Sequence, residues 1–213
     1  MQPSNPEGEI AMTVMTEKEQ FETILEKCDS LEELQIIKEI IKQDGNEANL
    51  NIIEVSKIDD FGYLFSADKQ GYGLQEFNGD ISKWNVSNGK NFNSMFFGSK
   101  FDGDLSKWDV SNAENMQGMF ADCEFTGDKG SIENWDVSNA ENLSYMFNYS
   151  KLKYNVNKWN PKSVKTVQMM FANCYDIKDL NLSNWELSPS CDMYDIFKRN
   201  PIEQDYEKYP QKQ

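Results

Sequence analysis

Phe101-Asp-Gly-Asp-Leu-Ser-Lys-Trp-Asp-Val-Ser-Asn-Ala-Glu-Asn-Met-Gln-Gly-Met-Phe120 is one unit of a pattern that runs through most of the chain. Its tryptophan, Trp108, shares a frame with Trp84, Trp135, Trp159 and Trp185, at successive spacings of 24, 27, 24 and 26 residues. A phenylalanine follows each tryptophan by 12 positions: Phe96, Phe120, Phe147, Phe171 and Phe197. These ten aromatic residues in fixed phase are expected to be core rungs of an internal repeat. Four positions before each phenylalanine stands Phe92, Met116, Leu143, Val167 or Met193, and immediately before it Met95, Met119, Met146, Met170 or Ile196. Apolar residues at i, i+3 and i+4 predict a short helix. Ser111 with Glu114, and Ser138 with Glu141, supply capping boxes at its start.

Three residues before each tryptophan lies Ile81, Leu105, Ile132, Val156 or Leu182, in short segments led by Gly79 and Gly103 in the first two units. They predict short strands entered from a turn. Ile81 and Trp84 differ by three, however, so strict alternation cannot send both inward and a bend or bulge must intervene. One unit of this kind cannot bury an apolar face alone, and successive units must stack into a continuous core. The expected fold is an α/β repeat, a leucine-rich-repeat-like solenoid of short parallel strands and short helices. Ile53, Val55, Ser56, Phe61, Leu64 and Phe65 extend the frame one unit upstream without its tryptophan, giving six units over residues 50–197.

Residues 16–49 read differently. Thr16 with Glu19, and Ser30 with Glu33, are capping boxes before two amphipathic patterns, Phe21, Ile24, Leu25, Cys28 and then Leu34, Ile37, Ile41, the second ending near Gly45. A helical hairpin here would cover the first repeat, or serve as a docking element. Residues 1–15 are expected to be a flexible N-terminus. Residues 198–213 lose the repeat at Pro201 and form an edge cover or a frayed tail.

The 213 residues carry 21 basic and 36 acidic side chains, a formal charge of −15, and no histidine. The usual neutral-pH proton shuttle and commonest metal ligand are therefore absent. The acidic excess disfavours nucleic acid and anionic membrane, and suits a protein partner with a basic surface. The first 50 residues hold 12 acids against 4 lysines, −8 of the total. No secretory leader and no run of ~20 apolar residues is visible, so the chain as given reads as cytoplasmic, or as extracellular if a leader was removed. The four cysteines, at 28, 123, 174 and 191, form no C-x-x-C pattern and read as reduced thiols. Cys123 and Cys174 share a column two repeats apart, ~10 Å, which is too far for a disulfide.

The phrase Phe77-Asn-Gly-Asp-Ile-Ser-Lys-Trp-Asn-Val-Ser87, followed by Asn91-Phe-Asn-Ser-Met-Phe96, strongly resembles the BspA-like leucine-rich-repeat family, also called the Mycoplasma-type surface-protein repeat. Its members repeat F-N-x-D-I-S-x-W-D-V-S-N-V-x-N-M-x-x-M-F, and the likeness covers about residues 50–197. The sequence departs from it at Asp128-Lys-Gly-Ser-Ile, which lengthens one unit by three residues, at Pro161, and at Ser188-Pro189. Many relatives are surface proteins of bacteria and protists. The resemblance implies adhesion, virulence-type binding or protein binding rather than catalysis.

The polar columns flanking the tryptophans are the candidate ligand-facing surface: Lys83, Lys107, Asn134, Lys158 and Asn184 before them, and Asn85, Asp109, Asp136, Asn160 and Glu186 after them. No catalytic residue, metal site or cofactor is expected. The recurring Asn78-Gly-Asp80, Asp102-Gly-Asp104 and Thr126-Gly-Asp128 match turn chemistry rather than a calcium loop. The expected function is a non-catalytic protein-binding scaffold, monomeric or weakly oligomeric. The alternatives are an acidic viral or effector-type decoy for a basic protein surface, and a surface adhesin fragment.

Overall fold

A computed structural model describes residues 30–212. The expected N-terminal segment 1–15 and the first expected helix, Thr16 to Cys28, lie outside the described residues. Helix α1, Ser30–Asp44, buries Ile37 and Ile40 in the common core. It stops where Gly45, at φ +85°, donates its N–H to the Ile41 carbonyl at 2.9 Å, the usual left-handed glycine end.

From there the chain makes successive coils, each hydrogen-bonded to the next. Parallel bridges join Asp60 to Asn91, Asn91 to Asn115, Asn115 to Asn142, Asn142 to Thr166 and Thr166 to Asp192. Past each bridge every second N–H crosses to the following coil. Phe92, Ser94, Phe96 and Gly98 donate to the carbonyls of Asn115, Gln117, Met119 and Ala121 at 2.7 to 2.9 Å. The intervening N–H groups stay local: Met95, Phe97 and Ser99 donate to the carbonyls three residues back.

That arrangement replaces the expected short helices. Each segment is a run of turns in which the residue two after the Phe92 column has positive φ: Tyr63, Ser94, Gly118, Tyr145, Met169 and Asp195, between 51° and 61°. A left-handed residue ends helical hydrogen bonding, and the side chain at the bridge competes for the first N–H. Asn91, Asn115 and Asn142 accept the N–H two residues on at 3.0 to 3.1 Å, and Asp60 and Asp192 do the same. Spacing i, i+3, i+4 arises here because those positions of a turn run face the core. Glu114 and Glu141, read as capping-box partners, pair instead across coils, with Lys90 at 3.6 Å and Lys165 at 2.6 Å.

The segments expected to be strands are also turns. Trp84 donates its N–H to Ile81 O at 3.1 Å while the Asp80 carboxylate accepts Ser82 N–H at 2.9 Å, which brings Ile81 and Trp84 onto one side. Among the described residues the extended pairs are β1, Glu186–Leu187, parallel to β2, Gln211–Lys212.

The core is a set of columns. Phe65, Phe96, Phe120, Phe147, Phe171 and Phe197 stack at centroid spacings of 5.5 to 5.8 Å, and Tyr209 closes the column edge-on to Phe197 at 4.7 Å. The indoles of Trp84, Trp108, Trp135 and Trp159 donate to the carbonyls of Leu50, Ile81, Leu105 and Ile132, binding each coil to the one before. Trp185 finds no such acceptor among the described residues. The tail runs through a 3-10 turn, Tyr206–Lys208, and covers the last tryptophan through Gln211 N–H to Trp185 O at 2.9 Å.

Gly118, at φ +59°, is the glycine of the left-handed column, so Gly118→Ala is expected to lower stability by about 1 kcal/mol, with its added methyl only 3.4 Å from Ser94 Oγ. Urea unfolding checks this; an unchanged midpoint would contradict the assigned backbone.

Candidate functional site

All ten predicted surface residues are exposed, in two rows beside the buried tryptophans. The structure divides them by what their side chains already hold. Asn85, Asp109 and Asp136 accept the backbone N–H groups of Ser87, Ser111 and Ser138 at 3.0 to 3.2 Å. The hydrogen bonds from Ser138, side chain first, hold the Asp136 carboxyl below its ordinary pKa. Lys158 bridges to Glu133 at 2.9 Å and to Asn134 Oδ1 at 3.3 Å. The backbone carbonyl of Asn160 accepts Lys162 N–H, and the backbone of Glu186 lies in β1. Lys83, Lys107, Asn160, Asn184 and Glu186 keep side chains without hydrogen bonds among the described residues, so they are the members of the rows left open to a partner.

Lateral stitching continues outside these rows. Asn88, Asn112 and Asn139 donate from Nδ2 to the carbonyls of Ser56, Ser87 and Ser111 in the preceding coil, at 2.6 to 2.8 Å. Asn78 Oδ1 accepts Asp102 N–H and Asp102 Oδ1 accepts Thr126 N–H, so these carboxylates and amides act as turn and ladder acceptors. Among the described residues no three Asp, Glu, Cys or His side chains converge to hold a metal ion. The three added residues near Asp128 are tied down by Lys153 and by Tyr154 Oη, 3.1 Å from Asp128 Oδ1.

Two features escaped the sequence reading. Exposed tyrosines gather toward the C-terminal half, at Tyr149, Tyr154, Tyr175, Tyr194 and Tyr206. Their only signal in the sequence is tyrosine at phases of the repeat outside the core columns. A cleft of about 540 Å³ also opens between α1 and the first coil, with Glu33, Leu34 and Ile37 on one wall and Asp60, Phe61, Gly62, Tyr63 and Leu64 on the other.

The thiols of Cys123, Cys174 and Cys191 are free and buried. Cys123 and Cys174 alternate with serines down one column, Cys123 lying 3.4 Å from Ser99 Oγ and Cys174 3.6 Å from Ser150 Oγ. Burial pushes Cys123 up from 9.0 to about 12 and Cys174 to about 11, the opposite of an activated nucleophile.

Because these folded-state values are raised, the contribution of the protonated thiols to stability is complete below the unfolded value of 9.0 and drains away as pH rises toward 11 and 12. The difference in unfolding free energy between the protein and Cys123→Ala is therefore expected to shrink from pH 8 to pH 11. A difference that stays constant across that range would contradict the buried, protonated thiol. Native protein should also leave Cys123 unlabelled by a thiol reagent at pH 8.

No described helix is long and apolar enough to cross a membrane. The sequence profile of a family described as "Mycoplasma protein of unknown function, DUF285" matches twice, over residues 35–131 and 125–209. No curated protein and no solved structure gives a match.

Proposed function

The chain belongs to the Mycoplasma family of unknown function, DUF285, and on that footing we propose that it is a non-catalytic protein-binding scaffold built as a leucine-rich-repeat-like solenoid of BspA-like type. The observation that carries this reading is the employment of the acidic groups. Asp80, Asp104, Asp109 and Asp136 each accept a backbone N–H two residues on. Hydrogen bonds from Ser82 and Ser138 hold the carboxyls of Asp80 and Asp136 below their ordinary pKa, and the turn arrangement recurs coil after coil, where acid-base catalysis needs one singular pair with separated pKa values.

A stack of coils bonded edge to edge offers a rigid, extended surface, and rigid presentation lowers the entropy cost of holding a large partner. Lys83 and Lys107 occupy adjacent rungs of this surface with unengaged side chains. A second reading rests on the charge of −15: an acidic decoy would be steered to a basic protein surface, and its binding would weaken steeply with salt.

The test uses the full chain and its Lys83→Glu/Lys107→Glu variant as paired baits in affinity capture at low and high salt. The scaffold reading expects a specific protein that survives high salt and binds the variant at least about tenfold more weakly, or ~1.4 kcal/mol, with melting unchanged. Partners that are basic and lost at high salt would favour the decoy. Equal capture by both baits would remove the lysine rows from the binding surface.

A further inference from the structure

The hydrogen bonding of the stack has a direction. At each of the five contacts between coils, the earlier coil supplies N–H groups and the later one carbonyls across the segments after the bridges. Phe61, Tyr63, Phe65 and Ala67 donate to Asn91, Asn93, Met95 and Phe97, and the same pattern runs to Val167, Met169, Phe171 and Asn173 donating to Asp192, Tyr194, Ile196 and Lys198. The sixth coil therefore ends the stack with donors in hand. The N–H groups of Met193, Asp195 and Phe197 have no acceptor among the described residues, and Arg199 N–H is taken by the Glu203 carboxylate at 3.0 Å.

The tail leaves part of this end uncovered. It pairs with Glu186 and Leu187 and sets Tyr209 against Phe197, covering the tryptophan side and the phenylalanine column. Met193 stays half-buried, although Phe92, Met116, Leu143 and Val167 above it in the same column are fully buried. Tyr194 beside it is 59% exposed.

The opposite end carries the complement. The carbonyls of Asp60, Gly62 and Leu64 occupy the positions that accept in every later coil, and no described residue donates to them. They belong to the wall of the 540 Å³ cleft, which also presents the half-buried Ile58 and Leu34. Helix α1 covers the core at this end but leaves the cleft open over the carbonyl row.

We propose that the donor edge at Met193 and Asp195 of one copy docks on the carbonyl edge at Asp60, Gly62 and Leu64 of a second copy. The contact repeats the internal one between coils. It buries Met193 and Tyr194 against the cleft and pairs the N–H groups of Met193, Asp195 and Phe197 with the carbonyls of Asp60, Gly62 and Leu64, none of which has a partner among the described residues. Two donor edges cannot pair with each other, so the association is head-to-tail and open-ended rather than a closed twofold dimer.

The test is sedimentation of the full 24.7 kDa chain from low micromolar to millimolar concentration, with one variant for each end. Wild type is expected to grow in mass with concentration through dimers and longer chains. Met193→Lys, dead at the donor end, and Ile58→Arg, dead at the acceptor end, are each expected to stay monomeric. Mixed in equal amounts they regain one live pair of ends and stop at the dimer. Tyr194→Glu, a fully surface change, serves for the donor end if Met193→Lys melts early. Monomeric wild type throughout, a mixture that grows past the dimer, or variants that associate as wild type does would each overturn the proposal.

Discussion

In residues 92–99 the N–H groups of Phe92, Ser94, Phe96 and Gly98 leave their own coil to bond the next, and those of Met95, Phe97 and Ser99 close turns three residues back. A lone coil would leave half of those donors facing water or unpaired, and its phenylalanine face bare. Neither a helix nor a sheet of ordinary strands distributes its bonds this way. The cost of the left-handed residues needed to alternate the bonds, on the order of 1 kcal/mol each, is recovered only when a neighbouring coil is present. Stability is therefore a property of contacts between coils more than of any coil, as one-dimensional stacks require.

The same constraint explains the side chains. Asparagine recurs because its short amide can close a turn with its oxygen and reach the preceding coil with its nitrogen, as Asn142 does between Ser144 N–H and Gln117 Oε1. Tryptophan recurs because it fills the core while its indole N–H reaches a carbonyl of the preceding coil. Ion pairs between coils, such as Lys165 with Glu141, lie on exposed flanks and add little to stability, but they set which charges remain free for a partner.

The register of Trp84, Trp108, Trp135, Trp159 and Trp185 with their phenylalanines was legible in the sequence because a stack must repeat its core residue types at a nearly constant interval. The secondary structure was not. Ser94, Tyr145, Met169 and Asp195 share a left-handed position with Gly118, yet only Gly118 carries a residue that announces it. The apolar spacing around them matches a helix by coincidence of the turn geometry. The bridge falls at Asn91 and its equivalents, polar positions that no β propensity would mark. The candidate rows were legible as exposed positions, but the division between Asp109, tied to its own turn, and Lys107, left open, depends on distances that spacing does not encode. The open ends of the stack follow from bond direction, which sequence does not show.

Amide hydrogen exchange of the dilute protein tests this account most directly, since it reads the alternating bonds one N–H at a time. The amides of Ser94, Gly118, Tyr145 and Met169 are predicted to exchange only through opening of the stack, at rates set by global stability. Asp195, in the same column at the end of the stack, is predicted to exchange orders of magnitude faster. Uniform protection along the column, or fast exchange at all five positions, would contradict a structure whose coils are held by bonds that only a following coil can accept.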